Sequence, residues 1–166
     1  MAFVVEDGTG LPTANAYASI AALKAYLGDR GVDYSAVSDT NLEQAIVRAT
    51  DYIDAGHVFR GYKSTLDQAL EWPRHSIVNR DGRIVTGVPE EVRRACYEYA
   101  WREASGTDID PDPDFQTSGG QVIEEQVGPI RKKYAEGVAA SERRRIPAAD
   151  RWLARFIESS ARLVRA

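Results

Sequence analysis

The chain has 166 residues, of which 43% are apolar and 28% charged, with a net charge of −4 and a single cysteine. This composition fits one globular domain, and a lone cysteine excludes an internal disulfide or a multi-cysteine metal site. No window approaches the roughly 18 apolar residues of a membrane span, and the N-terminus lacks the basic and apolar segments of a signal peptide. We therefore expect a protein used in a reducing cytoplasm, or in a particle assembled there, without a membrane partner.

The charge is unevenly distributed along the chain. Residues 1–130 hold 11 Lys/Arg and 21 Asp/Glu, whereas residues 131–166 hold 10 Lys/Arg and 4 Asp/Glu. An acidic body with a basic tail can pair head-to-tail with copies of itself, or offer the tail to an acidic partner. A solvated basic helix is the simpler alternative.

Three helices are predicted in the first two thirds of the chain. Ser19 and Ser38 are good N-caps for the first two, and Gly56 ends the second. Pro89 stands near the first turn of the third helix, where a missing N–H costs nothing, and Gly106 ends it. Apolar residues recur at intervals of three and four, which predicts a buried stripe on the helices. The predicted stripe of the third helix is Val92, Ala95, Cys96, Tyr99 and Ala100.

Extended structure and a final helix are predicted after the third helix. Residues 107–120 are rich in Asp, Pro and Gly, which indicates a linker. The segment 121–135 carries apolar and charged residues on both sides of Gly128-Pro129, which predicts a hairpin-like arm. Because two strands alone are marginal in water, we expect this arm to pair with something else, such as a neighbouring subunit. A last helix is predicted over 147–166.

These elements predict a single domain of the mainly α class. The expected architecture is a small helical bundle with an extended β-hairpin-like arm and a C-terminal helix. The helical body, together with an N-terminal arm, is predicted to cover residues 1–106.

Residues suited to catalysis or metal binding are sparse. His57 and His75 lack any zinc-binding spacing. The alternating aspartates of the linker lack the turn glycine and the late glutamate of a calcium loop. Cys96 lies on an apolar stripe, where a buried structural thiol is favoured over a nucleophile. We therefore expect no enzymatic activity, no metal and no cofactor.

A nucleic-acid surface is one alternative for the basic tail. The run Arg143-Arg144-Arg145, with Lys132 and Lys133, offers phosphate contacts, and Tyr134 offers a ring for base stacking. The acidic body counts against specific recognition, as does the lack of a helix-turn-helix spacing or an aromatic RNA-binding signature.

The most distinctive block of the sequence runs from Gln68 to Arg74. Trp72 offers a large ring for burial, Pro73 favours an extended conformation for the residue before it, and Arg74 presents a planar fork of donors for carboxylates or carbonyls. We predict a rigid structural corner that holds a loop against the helices. A plain core tryptophan beside a surface arginine is the simpler alternative. The predicted corner residues are Phe59, Gly61, Gln68, Leu70, Trp72, Pro73 and Arg74.

Short motifs spread over almost the whole chain carry a family resemblance through their order and spacing. They include Val5–Gly10, Ala14–Ser19, Ala45–Ile53, Gln68–Arg74 and Val127–Ile130. In this order they resemble the head–tail connector proteins of long-tailed bacteriophages, which are adaptor or head-completion proteins whose members often carry the label DnaT-like.

The resemblance implies a structural virion protein. It would form a ring, expected to be dodecameric, that docks on the portal and continues the DNA channel toward the tail during genome packaging and DNA ejection. The implied partners are further copies of the chain, the portal protein and a tail-side connector or stopper protein, with double-stranded DNA passing through the lumen without specific binding. The implied location is the head–tail interface of a virion assembled in the host bacterial cytoplasm.

The resemblance also implies roles for two segments. The C-terminal segment would dock on the portal, so its removal should leave the body folded, and the arm would form a subunit interface. The implied portal-docking residues are Arg151, Trp152, Leu153, Arg155, Phe156, Ile157, Leu163 and Val164. The implied interface residues of the arm are Val122, Ile123, Val127, Gly128, Pro129, Ile130 and Tyr134.

A second hypothesis belongs to another class of protein, a single-stranded-DNA-binding replication accessory protein of the DnaT-like kind. The two hypotheses differ in salt behaviour, because a protein that binds phosphates holds oligonucleotides with an affinity that falls steeply as salt rises.

Overall fold

A computed structural model describes most of the chain, in two compact units. The described residues are 2–79, 81–110, 124–127, 130–133 and 146–158. The first unit holds helices α1 (Ile20–Gly28), α2 (Asp39–Gly56), α3 (Glu90–Ala104) and α4 (Pro147–Leu153), with strands β1 (Tyr62–Lys63) and β2 (Arg74–His75). The second unit holds strands β3 (Glu124–Val127) and β4 (Ile130–Lys133). The predicted fold class, mainly α with a hairpin and a C-terminal helix, is confirmed.

The predicted helix starts are confirmed by their caps. The Ser19 hydroxyl accepts a hydrogen bond from the Ala22 N–H, and the Ser38 hydroxyl accepts one from the Asn41 N–H, each over 3.2 Å. Helix α3 begins directly after Pro89. Each cap satisfies an N–H that has no partner within the first helical turn.

The core lies where α3 packs between α2 and α4. Every residue of the predicted α3 stripe is buried. The N-terminal residues also belong to this body, because Val5 pairs with Ala16 and the buried Glu6 carboxylate accepts the N–H groups of Gly8, Gly10 and Leu11.

Helix α4 begins at Pro147 as predicted but ends at Leu153, so the helix predicted over 147–166 is too long. After it the chain runs beside residues 58–60. The Arg60 N–H donates to the Phe156 carbonyl and the Glu158 N–H donates to the Val58 carbonyl, each over 2.9 Å. These backbone bonds to a distant segment replace the helical ones, which is why the helix stops.

The hairpin predicted around Gly128-Pro129 is present as the β3–β4 pair. The strands are antiparallel, with Val127 opposite Ile130 at one end and Glu124 opposite Lys133 at the other. The ends of the predicted arm, residues 121–123 and 134–135, lie outside the described residues, as does most of the predicted linker.

Candidate functional site

The connection between α2 and α3 differs in charge from the helices that it joins. Residues 57–88 contain five Lys/Arg and three Asp/Glu, whereas residues 2–56 and 89–110 together contain six Lys/Arg and fourteen Asp/Glu. A basic segment on an acidic body concentrates positive potential locally. Among these segments, the connection therefore has the charge that best suits an anion-binding surface.

Arg74 fixes the backbone of this connection from inside. Its side chain is only 9% exposed. Its Nε donates to the Arg60 carbonyl over 2.9 Å, and its Nη2 donates to the carbonyls of Gly61 and Phe59 over 2.9 and 3.2 Å. Its Nη1 donates to the Glu71 carbonyl and carboxylate over 3.2 and 2.5 Å. One guanidinium thus binds the segment before β1 and the segment before β2 at the same time, as its planar fork of donors allows.

Trp72 fills the core beneath the same segment. Its ring is fully buried and meets Phe59 and Phe156 edge-on, with centroids 5.6 and 5.2 Å away. The Trp72–Pro73 peptide bond is cis. Among the described residues, the buried indole N–H has no hydrogen-bond partner. The ring packing ties the connection to the C-terminal segment.

Tyr17 and Asp54 form a hydrogen-bonded pair that binds the backbone at Glu71 and Trp72. The Trp72 backbone N–H donates to the Tyr17 hydroxyl over 3.1 Å, and this hydroxyl donates to the Asp54 carboxylate over 2.5 Å. The second carboxylate oxygen of Asp54 accepts the Glu71 N–H over 2.9 Å. Burial raises the pKa of Asp54 to about 6 and that of Tyr17 well above its ordinary value.

The remaining predicted corner residues lie in the same structure. The buried Gln68 amide donates to the carbonyls of Leu70 and Pro73 over 2.8 and 3.0 Å. Gly61 has φ +75°, and a Cβ at this position would lie 2.2 Å from the His75 carbonyl oxygen. The structure therefore brings all seven corner residues together, six of them buried and Gly61 at the surface.

The outer side of the braced segment carries aromatic rings. Tyr62 of β1, 61% exposed, lies directly opposite His75 of β2, with ring centroids 5.8 Å apart. His75 is exposed as well. Two neighbouring exposed rings on a rigid strand pair offer flat surfaces for stacking.

A groove of about 340 Å³ is lined by Arg60, Val78, Asn79, Arg155 and Phe156, so part of its wall comes from the same connection as the rings. The Arg155 guanidinium is held by the Glu91 carboxylate at 2.9 Å. Arg60 is exposed and, within the described ranges, forms no ion pair.

Arg83 lies on a segment that pairs with Asn79, which lines the groove. The Asn79 N–H donates to the Arg83 carbonyl, and the Arg83 N–H donates to the Asn79 side-chain oxygen, each over 2.9 Å. Arg83 is exposed and has no ion pair among the residues that the structure describes. We name the set Arg60, Tyr62, His75, Arg83 and Arg155 the basic–aromatic face.

Three other features bear on function: possible metal ligands, the cysteine and the length of the helices. They contain no group of three or more His, Cys, Asp or Glu placed to hold a metal ion. Cys96 is buried, and burial raises the pKa of its thiol to about 12, which opposes formation of the reactive thiolate. Within the described residues, no helix is long and apolar enough to cross a membrane.

The predicted portal-docking residues have mixed positions. Leu153 and Phe156 are buried in the chain's own core, Trp152 and Ile157 are half-buried, and Arg151 and Arg155 are exposed. Leu163 and Val164 lie outside the described residues. The body itself therefore covers Leu153 and Phe156, two of the residues that the resemblance assigned to portal docking.

The predicted interface residues of the arm are only partly described. Val127 is the last residue of β3 and pairs with Ile130, the first residue of β4. The other five, Val122, Ile123, Gly128, Pro129 and Tyr134, lie outside the described residues, as do Arg143, Arg144 and Arg145. The interface role of the arm stays a prediction.

Sequence reasoning missed the basic–aromatic face. It placed nucleic-acid contacts after residue 130 and treated residues 59–74 as purely structural. The available signal was the pair of short runs Arg60-Gly61-Tyr62-Lys63 and Arg74-His75, in which charged and aromatic residues alternate. That signal is weak alone, because only the pairing of β1 with β2 places the two rings side by side.

The fold and these residues together define a small, mainly α protein whose braced connection carries exposed basic and aromatic side chains. A family model described as "Putative DnaT-like ssDNA binding protein" matches residues 1–166, and the chain belongs to this family. No curated protein and no solved structure matches the chain.

The family match overturns the resemblance to phage head–tail connectors. The connector interpretation rested on short motifs, and the most distinctive of them, Gln68–Arg74, is the internal brace of the connection. Such a motif indicates which residues stabilise a loop, and it does not indicate what the protein binds. The prediction of a connector ring that docks on a portal and carries DNA to a tail was therefore wrong, and so were the virion, packaging and ejection roles that accompanied it.

Proposed function

We propose that this protein binds single-stranded DNA through the basic–aromatic face. The observation that carries the proposal is the exposed Tyr62–His75 ring pair, which lies on the same connection as Arg60 and Arg83, two arginines without a carboxylate partner among the described residues. The family to which the chain belongs supports the same function.

The chemistry of the face suits a single strand better than a duplex. Guanidinium groups attract phosphates regardless of sequence, and aromatic rings stack on bases that are not already paired. The groove beside Arg60 and Arg155 has a volume of about 340 Å³, which is in the range of small-ligand sites, roughly 300–1,000 Å³. Its volume is therefore large enough for one nucleotide unit.

Rigidity also favours binding at this place. Arg74 fixes the carbonyls of residues 59–61, and Gly61 permits close contact with the His75 backbone. Because the rings are already positioned in the free protein, little conformational entropy is lost when DNA binds. We propose a binding role rather than a catalytic one.

The test is fluorescence anisotropy with a labelled oligothymidylate across a salt series. If Arg60 binds a phosphate, Arg60→Ala should weaken binding and reduce the slope of log affinity against log salt by about 0.7 for each phosphate that the variant no longer neutralises. Tyr62→Ala should cost about 1–3 kcal/mol of binding free energy while leaving the salt slope unchanged.

Arg48→Ala is the matched control, because Arg48 lies on α2 and pairs with Glu103 away from the connection. It should leave oligonucleotide affinity nearly unchanged. Equal binding of duplex and single strand, or an equal loss in the Arg48 and Arg60 variants, contradicts the proposal.

A further inference from the structure

The two strands of the hairpin carry opposite charges. Strand β3 reads Glu-Glu-Gln-Val and strand β4 reads Ile-Arg-Lys-Lys. The antiparallel register places Glu124 opposite Lys133 and Glu125 opposite Lys132. Opposite charges at facing positions favour strand pairing, and like charges there oppose it.

The hairpin has two outer edges. In the part of the second unit that the structure describes, the sheet consists of β3 and β4 alone. The outward backbone N–H and C=O groups of a two-stranded sheet can pair with a further strand. A two-stranded sheet is also marginal by itself in water, so addition of strands stabilises it.

We propose that the hairpin joins edge to edge with the hairpin of a second copy of this chain, β3 of one copy lying antiparallel beside β4 of the next. Of the three possible edge pairings, β3 with β3 opposes two acidic strands and β4 with β4 opposes two basic strands. Only β3 with β4 repeats the charge pattern already present within one hairpin.

This pairing is heterologous, because two different edges meet. Each added copy leaves one acidic and one basic edge free, so the assembly either grows or closes into a ring. The charge of the whole chain favours the same order, because the basic residues 131–166 of one copy attract the acidic residues 1–130 of the next. The inference does not depend on the proposed DNA binding.

The test uses a charge-swapped chain carrying Glu124→Lys, Glu125→Lys, Lys132→Glu and Lys133→Glu. The swap preserves net charge and the opposition of charges within the hairpin. Sedimentation should therefore find that the wild-type and swapped chains each associate with themselves. A chain carrying only Glu124→Lys and Glu125→Lys presents two basic edges, so every edge pairing between its copies opposes like charges and its self-association should be weaker than that of the wild type by at least about tenfold.

The control is a second swap on α3, Glu90→Arg with Arg94→Glu, which exchanges an exposed ion pair of 3.3 Å. This variant should co-assemble with the wild type as the wild type does with itself. Added salt should weaken wild-type association, since it depends on charge; this measurement needs only the wild-type chain.

Three results would overturn the inference. The first is a wild type that stays monomeric at every concentration, and the second is a Glu124→Lys, Glu125→Lys chain that associates with itself as strongly as the wild type. The third is a fully swapped chain that fails to associate with itself, because opposite charges on the two edges would then not be what joins the copies.

Discussion

The Tyr17 hydroxyl donates a hydrogen bond of 2.5 Å to the Asp54 carboxylate, joining the N-terminal segment to α2. Through this pair both are bound to the connection, because Tyr17 accepts the Trp72 N–H and Asp54 accepts the Glu71 N–H. The start of the connection therefore depends on a half-buried acid whose ionisation burial opposes.

Stability should decline with pH because of Asp54. Burial raises its pKa from 3.8 to about 6, so the folded state binds the proton more tightly than the unfolded state. The resulting stabilisation is fully present below pH 3.8 and is lost as pH rises through about 6. Between these values the wild type should lose on the order of 2–3 kcal/mol relative to Asp54→Asn, which has no such proton to lose.

Urea unfolding of both chains at a series of pH values measures this difference. The other carboxylates titrate in both proteins, so the Asn variant is its own control for them. Parallel stability curves for the two chains would show that Asp54 is not responsible.

Arg74→Lys should destabilise the fold by about 2–4 kcal/mol, since an ammonium group cannot reproduce a planar fork and leaves buried carbonyls without a donor. Arg48→Lys is the control, because the Arg48 side chain is 67% exposed and its carboxylate partner among the described residues is Glu103; it should change the free energy of unfolding by less than about 1 kcal/mol. Similar losses in both variants would mean that the carbonyl contacts of Arg74 contribute no more than a surface ion pair.

Gly61→Ala and Gly31→Ala separate backbone strain from steric collision. Both glycines have positive φ, +75° and +66°, but a Cβ at Gly61 would lie 2.2 Å from the His75 carbonyl oxygen, whereas one at Gly31 meets nothing within 4 Å. Gly31→Ala should cost about 1–2 kcal/mol, and Gly61→Ala clearly more. Only the Gly61 variant should also lose oligonucleotide affinity, because the collision separates the strands that carry Tyr62 and His75. If thermal unfolding finds the same loss of stability in both variants, β1 and β2 can separate without cost and the collision at Gly61 does not matter.

The helix starts were predictable because their causes are local. Ser19, Ser38 and Pro89 act within one turn of themselves. The early end of α4 was not predictable, since it depends on Phe156 and residues 58–60, about a hundred residues apart in the sequence. Periodicity along a helix contains no information about such contacts.

The basic–aromatic face was harder still to predict. Arg60 and Arg74 are the same residue type in the same connection, yet one is exposed and the other is buried among carbonyls. Only the folded backbone distinguishes an arginine that braces from one that is available to a ligand. The corner was predicted because Trp, Pro and Arg in one block favour burial, a fixed backbone and several hydrogen bonds. An exposed Tyr-His pair has no such sequence signature.

Phe156 tests whether the C-terminal segment belongs to the body. The sequence led us to expect a fold that survives without residues 147–166, but Phe156 is only 2% exposed and packs against Trp72. Phe156→Ala should destabilise the protein by about 3–5 kcal/mol, because the ring is removed and a cavity is left beside Trp72. Leu66→Ala, at a fully exposed position, should have almost no effect. If calorimetry finds less than about 1 kcal/mol for Phe156→Ala, the segment lies on the body without stabilising it, and the groove beside Arg60 and Arg155 loses the support that shapes it.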